Sequence, residues 1–483
     1  MPTGVHVVIQ LVRGCTQGPD DCWDFLLLPF DTIILFPLAL FQLAKKYGPV
    51  FTFHFGFKKV VVLTGYEAVK DALVNFTDEF VDRPSIPIFE QIQHGNGVFF
   101  STGELWRTTR RFTVSTIVGT PTTVSTDTCY PLFYPEGKPF DLRTFNAAAT
   151  NITFVLLFGE RFEYSNPIFL TLLRLIDEVM CLLGSPALHL FNFYPFLGFL
   201  FSVHKTLLQK IEEVRVIIRD YIRSSRQDLN ANSFRSYTEA LVFKQEQDRN
   251  KKQNLFHEDN LIASILDLVM AGTETTATTL QWAVLLAMRY PEMQKKVQEE
   301  LGRIVKPGHW ATYEDRRHMP FTNAVIHEVQ RFITLLPHVP RSTSVDTHFR
   351  GYFLPKGTMV IPSLTSVLLD QSQWETPHEF NPSHFLDPSG NFVKKDAFVP
   401  YSLGNSGLLG DFGYRYPVSP GPSLPRLARP SSCNRPSYGL ASSPLIILVA
   451  LLCTFSRVST SFLHHGDQNW MQHSKCGLIT KTL

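Results

Sequence analysis

At 483 residues the chain can hold one large domain or several smaller ones. Lys+Arg 45 against Asp+Glu 43 leaves a formal net charge of +2, which carries no polyanion-binding footprint and argues against a nucleic-acid partner. The composition is 44% hydrophobic with 40 phenylalanines, as suits a big core around an apolar pocket, and the cysteines, 7 in number and without metal-type spacing, argue against a disulfide framework and for a reducing compartment.

In chain order, residues 1–24 read as polar and irregular. Residues 25–41 are apolar but carry Pro29, Asp31 and Pro37. They fall short of the roughly 20 clean apolar residues of a bilayer span, so a peripheral membrane contact is expected. No basic n-region precedes them, so no signal peptide is expected. Residues 50–63 read as strands interrupted at Gly56-Phe57-Lys58-Lys59. Trp106 and Arg110 fall on a predicted helix, and 118–135 turns Gly/Thr/Pro-rich. Residues 259–290 form a long apolar helix closed by Pro291, which opens a second helix over 291–305 from its favoured first position. A further helix is predicted over 321–332, and 348–362 alternates around Pro355-Lys356-Gly357 as a hairpin would. Residues 416–443 are Pro/Ser/Arg-rich and predict a disordered tail, and the apolar run 445–455 is too short to span. The fold class is therefore mainly α with a small β-sheet, placed near the N-terminal third.

Three constellations carry chemistry. Glu274 and Thr275 sit in the middle of the long apolar helix, where an acid is costly without a task or a partner. Ala271 and Gly272 lack bulk and predict a groove beside them; the bland alternative is a helix whose threonines bond back to the preceding turn. Glu328 and Arg331 lie three apart on one helix face. Trp106 and Arg110 are four apart and also share a face, either as a surface aromatic–cation pair or as an arginine fork aimed at a carboxylate.

The motifs recur in a fixed order. They are Trp106-Arg107-Thr108-Thr109-Arg110, Ala271-Gly272-Thr273-Glu274-Thr275-Thr276, Glu328-Val329-Gln330-Arg331, Phe380-Asn381-Pro382-Ser383-His384-Phe385 and Phe398-Val399-Pro400-Tyr401-Ser402-Leu403-Gly404. Each is weak alone. Together, across 41–117 and 136–406, they make the chain resemble cytochrome P-450 monooxygenases of the microsomal family 2 type. The resemblance implies the cytochrome P-450 fold, here incomplete. It also implies a haem cofactor, NADPH used through a partner reductase, a lipophilic small-molecule substrate (fatty acid, retinoid, steroid or foreign compound), and the cytosolic face of the endoplasmic-reticulum membrane. It gives Glu274 and Thr275 a proton-relay role in catalysis. It gives Trp106, Arg110 and His338 contacts to the haem propionates, and Glu328, Arg331 and His384 a buried structural network. The pocket is expected from 84–99, 169–199, 262–275 and 335–339.

One family element is broken. The haem loop of the family continues Gly-x-Arg-x-Cys-x-Gly; here Gly404 and Gly410 are in place, but Ser406 stands for the arginine and Leu408 for the cysteine. Leucine has no lone pair for a metal, and the thiolate is what pushes electron density onto the iron. Cys433, 25 residues on, lacks the glycine frame. The expected organisation is an atypical 1–40, a cytochrome P-450-like 41–406 with a break at 118–135, and an atypical tail 407–483. The abruptness of the three breaks fits altered exon joining or gene assembly better than drift. Two readings stay open: a haem monooxygenase, or a catalytically dead relative acting at most as a binding or interaction protein.

Overall fold

A computed structural model describes residues 6–10, 25–29, 36–55, 58–119, 142–200, 202–227, 234–251, 254–305 and 314–403. Most of the 118–135 break, Gly404, Ser406, Leu408, Gly410, Cys433 and the tail lie outside the described residues.

The opening segment is not irregular throughout. Strand β1 (His6–Gln10) pairs antiparallel with β2 (Phe25–Pro29), with His6 opposite Pro29. The apolar stretch 25–41 thus divides between β2 and the start of helix α1 (Phe36–Tyr47). Among the described residues no helix is long and apolar enough to cross a membrane. The expected strands are β3 (Val50–Phe55) and β4 (Lys58–Leu63), and they pair antiparallel. Two short helices follow, α2 (Tyr66–Lys70) and α3 (Pro87–Gln93), and then α4 (Gly103–Gly119).

The helical body is α5 (Thr144–Phe158), α6 (Pro167–Leu183), α7 (Pro186–Phe193), α8 (Val203–Gln227), α9 (Tyr237–Gln247), α10 (Glu258–Arg289), α11 (Pro291–Ile304) and α12 (Pro320–Ile333). Local chemistry explains several starts. Proline occupies the first position of α3, α6, α7, α11 and α12, where its missing N–H costs nothing. The side chains of Asn166, Ser185 and Ser236 accept from backbone N–H groups as caps of α6, α7 and α9. Helix α10 is the spine of the body. Every residue from Asn260 to Val269 is buried, and one apolar cluster joins its Leu261, Ile265 and Leu268 to Phe154 of α5, Leu172 and Val179 of α6, and Ile211 and Ile218 of α8.

The sheet corrects a placement. It is not confined to the N-terminal third. Strands β5 (Arg341–Ser342), β6 (Thr347–Phe349), β7 (Tyr352–Leu354) and β8 (Met359–Pro362) come late in the chain. The main sheet runs β3-β4-β8-β5, with β8 parallel to β4 and Val60 opposite Met359. The expected hairpin exists as β6–β7, but it turns at Arg350 and Gly351, whose φ values of 49° and 87° are those of a tight two-residue turn. Pro355-Lys356-Gly357 instead carries the chain out of the hairpin into the main sheet. A last helix, α13 (Leu364–Leu368), packs behind that sheet.

Candidate functional site

Helix α10 presents Ala271–Thr275 at its middle, and the structure alters one expectation there. Gly272 does not open a groove. A Cβ on it would lie 2.6 Å from Thr153 Oγ1 of α5, so the missing side chain serves close approach of two helices. Thr273 is buried on the same flank, 3.3 Å from Thr150 Oγ1. Glu274 turns toward α5 as well: its Oε2 accepts from Asn146 Nδ2 at 2.9 Å, and Asn146 Oδ1 in turn accepts from Gln281. Burial raises the Glu274 carboxyl, Asp177 on α6 raises it further, and hydrogen bonds from Thr278 and Asn146 oppose the shift. Thr275 donates its hydroxyl to Ala271 O at 2.7 Å, the back-bonded arrangement of the bland alternative.

The second cluster is cationic. Trp106 and Arg110 on α4 are both largely buried, with the guanidinium 5.7 Å from the indole centroid, so the pair is not a surface feature. Two arginines that sequence reasoning missed join them. An antiparallel bridge between Asp82 and Ser342 sets Arg83 beside Arg341 of β5. Arg83 donates to Phe99 O at 3.0 Å and to Pro340 O at 3.4 Å. Burial, and then Arg110, push Arg83 down to about 9. Burial, and then Arg83 and Arg110, hold Arg341 well below the ordinary range of a guanidinium. Arg341 is fully buried; its Nη2 donates to Ser402 Oγ at 3.2 Å, while Nε and Nη1 have no acceptor. His338 lies in extended backbone bridged to Ser363, with its imidazole pushed down to about 4 by burial and by His189. No motif marks Arg83 or Arg341 in a single chain. The available signal was an arginine in each of two prolyl segments, Asp82-Arg83-Pro84 and Pro340-Arg341.

Arg331 shows what a structural arginine looks like here. It is equally buried, yet all five donors are used: Nε and Nη2 on Glu328 at 2.8 and 2.7 Å, Nη1 on Leu368 O and Pro377 O, and Nη2 again on Glu379 O. Thr376 N–H donates to His384 Nε2, which leaves Nδ1 to donate to Glu328 at 3.2 Å, and Asn381 N–H completes the carboxylate. A buried ion pair of this kind is sound only when its remaining lone pairs and protons are satisfied, as these are.

A third polar cluster was not foreseen. Asp267 on α10 is buried and accepts from Val98 N at 2.7 Å, Phe99 N at 3.0 Å and Gln93 Nε2 at 2.5 Å. Burial raises its carboxyl to about 7 against the pull of those three donors. Asn260, two turns earlier, accepts from Gly97 N and donates to Thr109 of α4. Segment 93–99 is thereby strapped across α10. Of the expected pocket segments, 84–99, 169–199 and 262–275 meet in one apolar cluster through Ile88, Ile92, Val98, Phe191, Ile262 and Leu266. Val339, from 335–339, packs instead with Val61 and Leu364 near the sheet.

A tetrapyrrole with two carboxylates fits the cationic cluster, because Arg341 offers buried donors that lack acceptors. The residues for its iron do not fit: position 408 is leucine, and the thiol among the described residues, Cys181, belongs to α6.

Comparison with known proteins identifies the family of the chain. The family profile Cytochrome P450 matches residues 35–407, ending one residue before Leu408. The chain is 51% identical to cytochrome P450 2W1 of Homo sapiens over 384 residues, 77% of this chain and 78% of that one. It is 39% identical to cytochrome P450 2K1 of Oncorhynchus mykiss over 387 residues, 77% of each. It is 38% identical to cytochrome P450 2C3 of Oryctolagus cuniculus over 389 residues, 77% of this chain and 79% of that one. The chain belongs to the cytochrome P450 family, and within it to the microsomal family 2 type of haem monooxygenase.

Proposed function

We propose that this chain is a catalytically silent member of its family, which keeps the body, the apolar pocket segments and the carboxylate-binding arginines but does not carry out the family's oxygen insertion. The observation behind the reading is Leu408 in place of the axial cysteine, together with Ser406 in place of the loop arginine. Bound haem supplies the oxidising chemistry in this family, with the axial thiolate tuning it. In this chain Arg110, Arg83, Arg341, Trp106 and His338 would hold the carboxylate edge of the macrocycle. Glu274, its carboxyl raised by burial and by Asp177, lies at the centre of α10. The remaining capacity is binding: a lipophilic small molecule against the Phe- and Ile-rich walls, at the cytosolic face of endoplasmic-reticulum membrane. The chain touches that membrane peripherally through 25–41.

A second reading is the full monooxygenase, acting on a fatty acid, retinoid, steroid or foreign compound with electrons from NADPH through a reductase. What favours it is the survival of Glu274, Thr275 and the Glu328–Arg331–His384 network. The reduced chain treated with carbon monoxide separates the two. The silent reading expects no thiolate-type Soret band and no reductase-dependent turnover. A full thiolate band would overturn it.

A further inference from the structure

We propose that segment 93–99 is a proton-operated gate over the apolar cluster shared by α7 and α10. It lies closed on α10 while Asp267 carries a proton, and it lifts as that proton passes to solvent. The admission of a lipophilic molecule through the gate rests on the reading above; the movement of the strap does not.

The strap is built to move as one piece. Asp267 Oδ2 accepts the N–H groups of Val98 and Phe99, and Oδ1 accepts from Gln93 Nε2. Asn260, on the same face of α10, accepts the Gly97 N–H at 2.9 Å. Two side chains of one helix therefore hold the segment. At its start the backbone turns left-handed at His94, Gly95 and Gly97, with φ values of 48°, 76° and 92°. Glycine takes up such backbone readily and gives the strap its pivot. A Cβ on Gly97 would run into Asp267 Oδ2, so only glycine lets the strap lie this close. Val98 packs in the same apolar cluster as Phe191 of α7 and Ile262 and Leu266 of α10. Lifting the strap bares those side chains.

The latch is an acid without a cation. Its three donors are all neutral amides. A buried carboxylate facing only neutral donors favours its protonated form when burial outweighs the bonds, and here it does: the carboxyl lies at about 7. The 2.5 Å between Oδ1 and the Gln93 amide is short for an N–H donor and ordinary for a carboxyl hydrogen on an amide oxygen. Gln93 Oε1, which has no partner among the described residues, takes that hydrogen once the amide is turned over.

The other titratable groups around the latch are engaged or exposed. Tyr237 of α9 shares its hydroxyl with Thr113 of α4, and burial above all raises its phenol. Arg215 of α8 is tied to Ile92 O and Glu212, and Arg83 to Phe99 O. Arg110 of α4 acts on Arg83 and Arg341. Helix α5 carries no charged residue, and Glu90 and His94 are exposed. In the lifted strap Asp267 meets water and ionises as an ordinary aspartate. Opening therefore releases a proton between 3.8 and about 7, so it is rare in acid, grows with pH and levels off above about 7.

Hydrogen exchange of the full chain is followed residue by residue from about pH 5 to about pH 8, each rate divided by that of the free amide. Protection at Gly97, Val98 and Phe99 is expected to fall together, by up to about tenfold per pH unit below neutrality, and then to level off. The Phe162 N–H, held by the neutral Asn151 Oδ1 at 2.8 Å, reports on the rest of the fold and is expected to stay protected. Asp267→Asn is expected to remove the slope. His94→Asn is expected to leave it intact, and decides the matter even where Asp267→Asn does not fold. Nile red, a neutral lipophilic dye, is expected to exchange faster with rising pH in the parent. A response confined to Val98 and Phe99, with Gly97 unmoved, would overturn the proposal, because two hydrogen bonds and not the strap would be responding. A slope that survives in Asp267→Asn or vanishes in His94→Asn would overturn it as well. Dye exchange indifferent to pH while the three amides respond would overturn the gating of ligand. No dye binding at any pH, with the amides responding, would overturn the binding reading above and leave the movement of the strap standing.

Discussion

Asp267 and Arg83 hold one residue from opposite sides. The Phe99 N–H donates to the Asp267 carboxylate at 3.0 Å, and the Phe99 carbonyl accepts from Arg83 Nε at 3.0 Å. A buried acid on the central helix is thus joined, through one residue of the strap, to the arginine cluster.

Removing the acid should therefore cost more than its own contacts. Asp267→Ala orphans Val98 N and Phe99 N and leaves Gln93 Nε2 only Ala263 O at 3.5 Å, at about 1–3 kcal/mol for each buried donor left without an acceptor. Urea unfolding should show a loss of several kcal/mol, and hydrogen exchange should show faster exchange at 98 and 99. Unchanged protection there would mean that the strap is held by packing alone.

The pH dependence has a definite sign. Burial raises the Asp267 carboxyl from 3.8 to about 7 in the folded protein. Folding therefore favours the protonated form: its stabilising contribution is fully present below 3.8 and is lost as pH rises through about 7. Asp267→Asn keeps an acceptor for Val98 and Phe99, and Gln93 Oε1, which has no partner, can take the new amide donor after a flip of the Gln93 amide. The variant should fold, and its melting temperature should fall less steeply than the parent's between pH 5 and 8. Parallel curves would show that another group sets the slope.

Gly272→Ala should destabilise by roughly 1–3 kcal/mol through overpacking against Thr153. Adding Thr153→Ala should recover most of the loss. If the single change were neutral, the close approach of α5 and α10 would not be set at this contact.

Glu328→Ala leaves the Arg331 guanidinium and His384 Nδ1 without their carboxylate in a fully buried site. A loss of about 3–5 kcal/mol is expected in denaturant melts. A loss comparable to that of a surface pair would mean that water reaches Arg331.

Leu408→Cys combined with Ser406→Arg should restore little thiolate spectrum or turnover. The chain departs from the family pattern again after Gly410, so two side chains do not rebuild the loop's surroundings. Replacing everything from Asn405 onward with a family-type sequence should restore more. Robust turnover from the two point changes would show that the altered tail does not matter.

Long helices were legible because their signals are local. Pro291 ends one helix and starts the next, and the observed bounds Glu258–Arg289 and Pro291–Ile304 differ from expectation by a residue at each changed end. The Glu328–Arg331 pair was legible as one face of a helix, but its burial and its partner His384 came from the resemblance. What escaped was set by distance along the chain. Arg83 and Arg341 carry no pattern until the Asp82–Ser342 bridge brings them together. Asp267 looked like any acid in an apolar run, because its partners are backbone N–H groups of a segment far away in sequence. Gly272 was read as an opening because the sequence does not show that Thr153 fills it.

The parallel pairing of β4 with β8 sets a schedule for synthesis. Val60–Leu63 cannot complete its ladder until Met359–Pro362 has been made, and Gly65 and Tyr66 wait for Ser366 and Asp370 to accept their N–H groups. Until then one edge of an apolar, β-branched strand stays unpaired while the whole helical body is translated. Long-range pairing of this kind folds slowly and exposes an aggregation-prone edge. A ribosome halted before codon 359 should hold a chain in which α1–α12 have been made but the β4 edge of the β3–β4 hairpin is still open to chaperones.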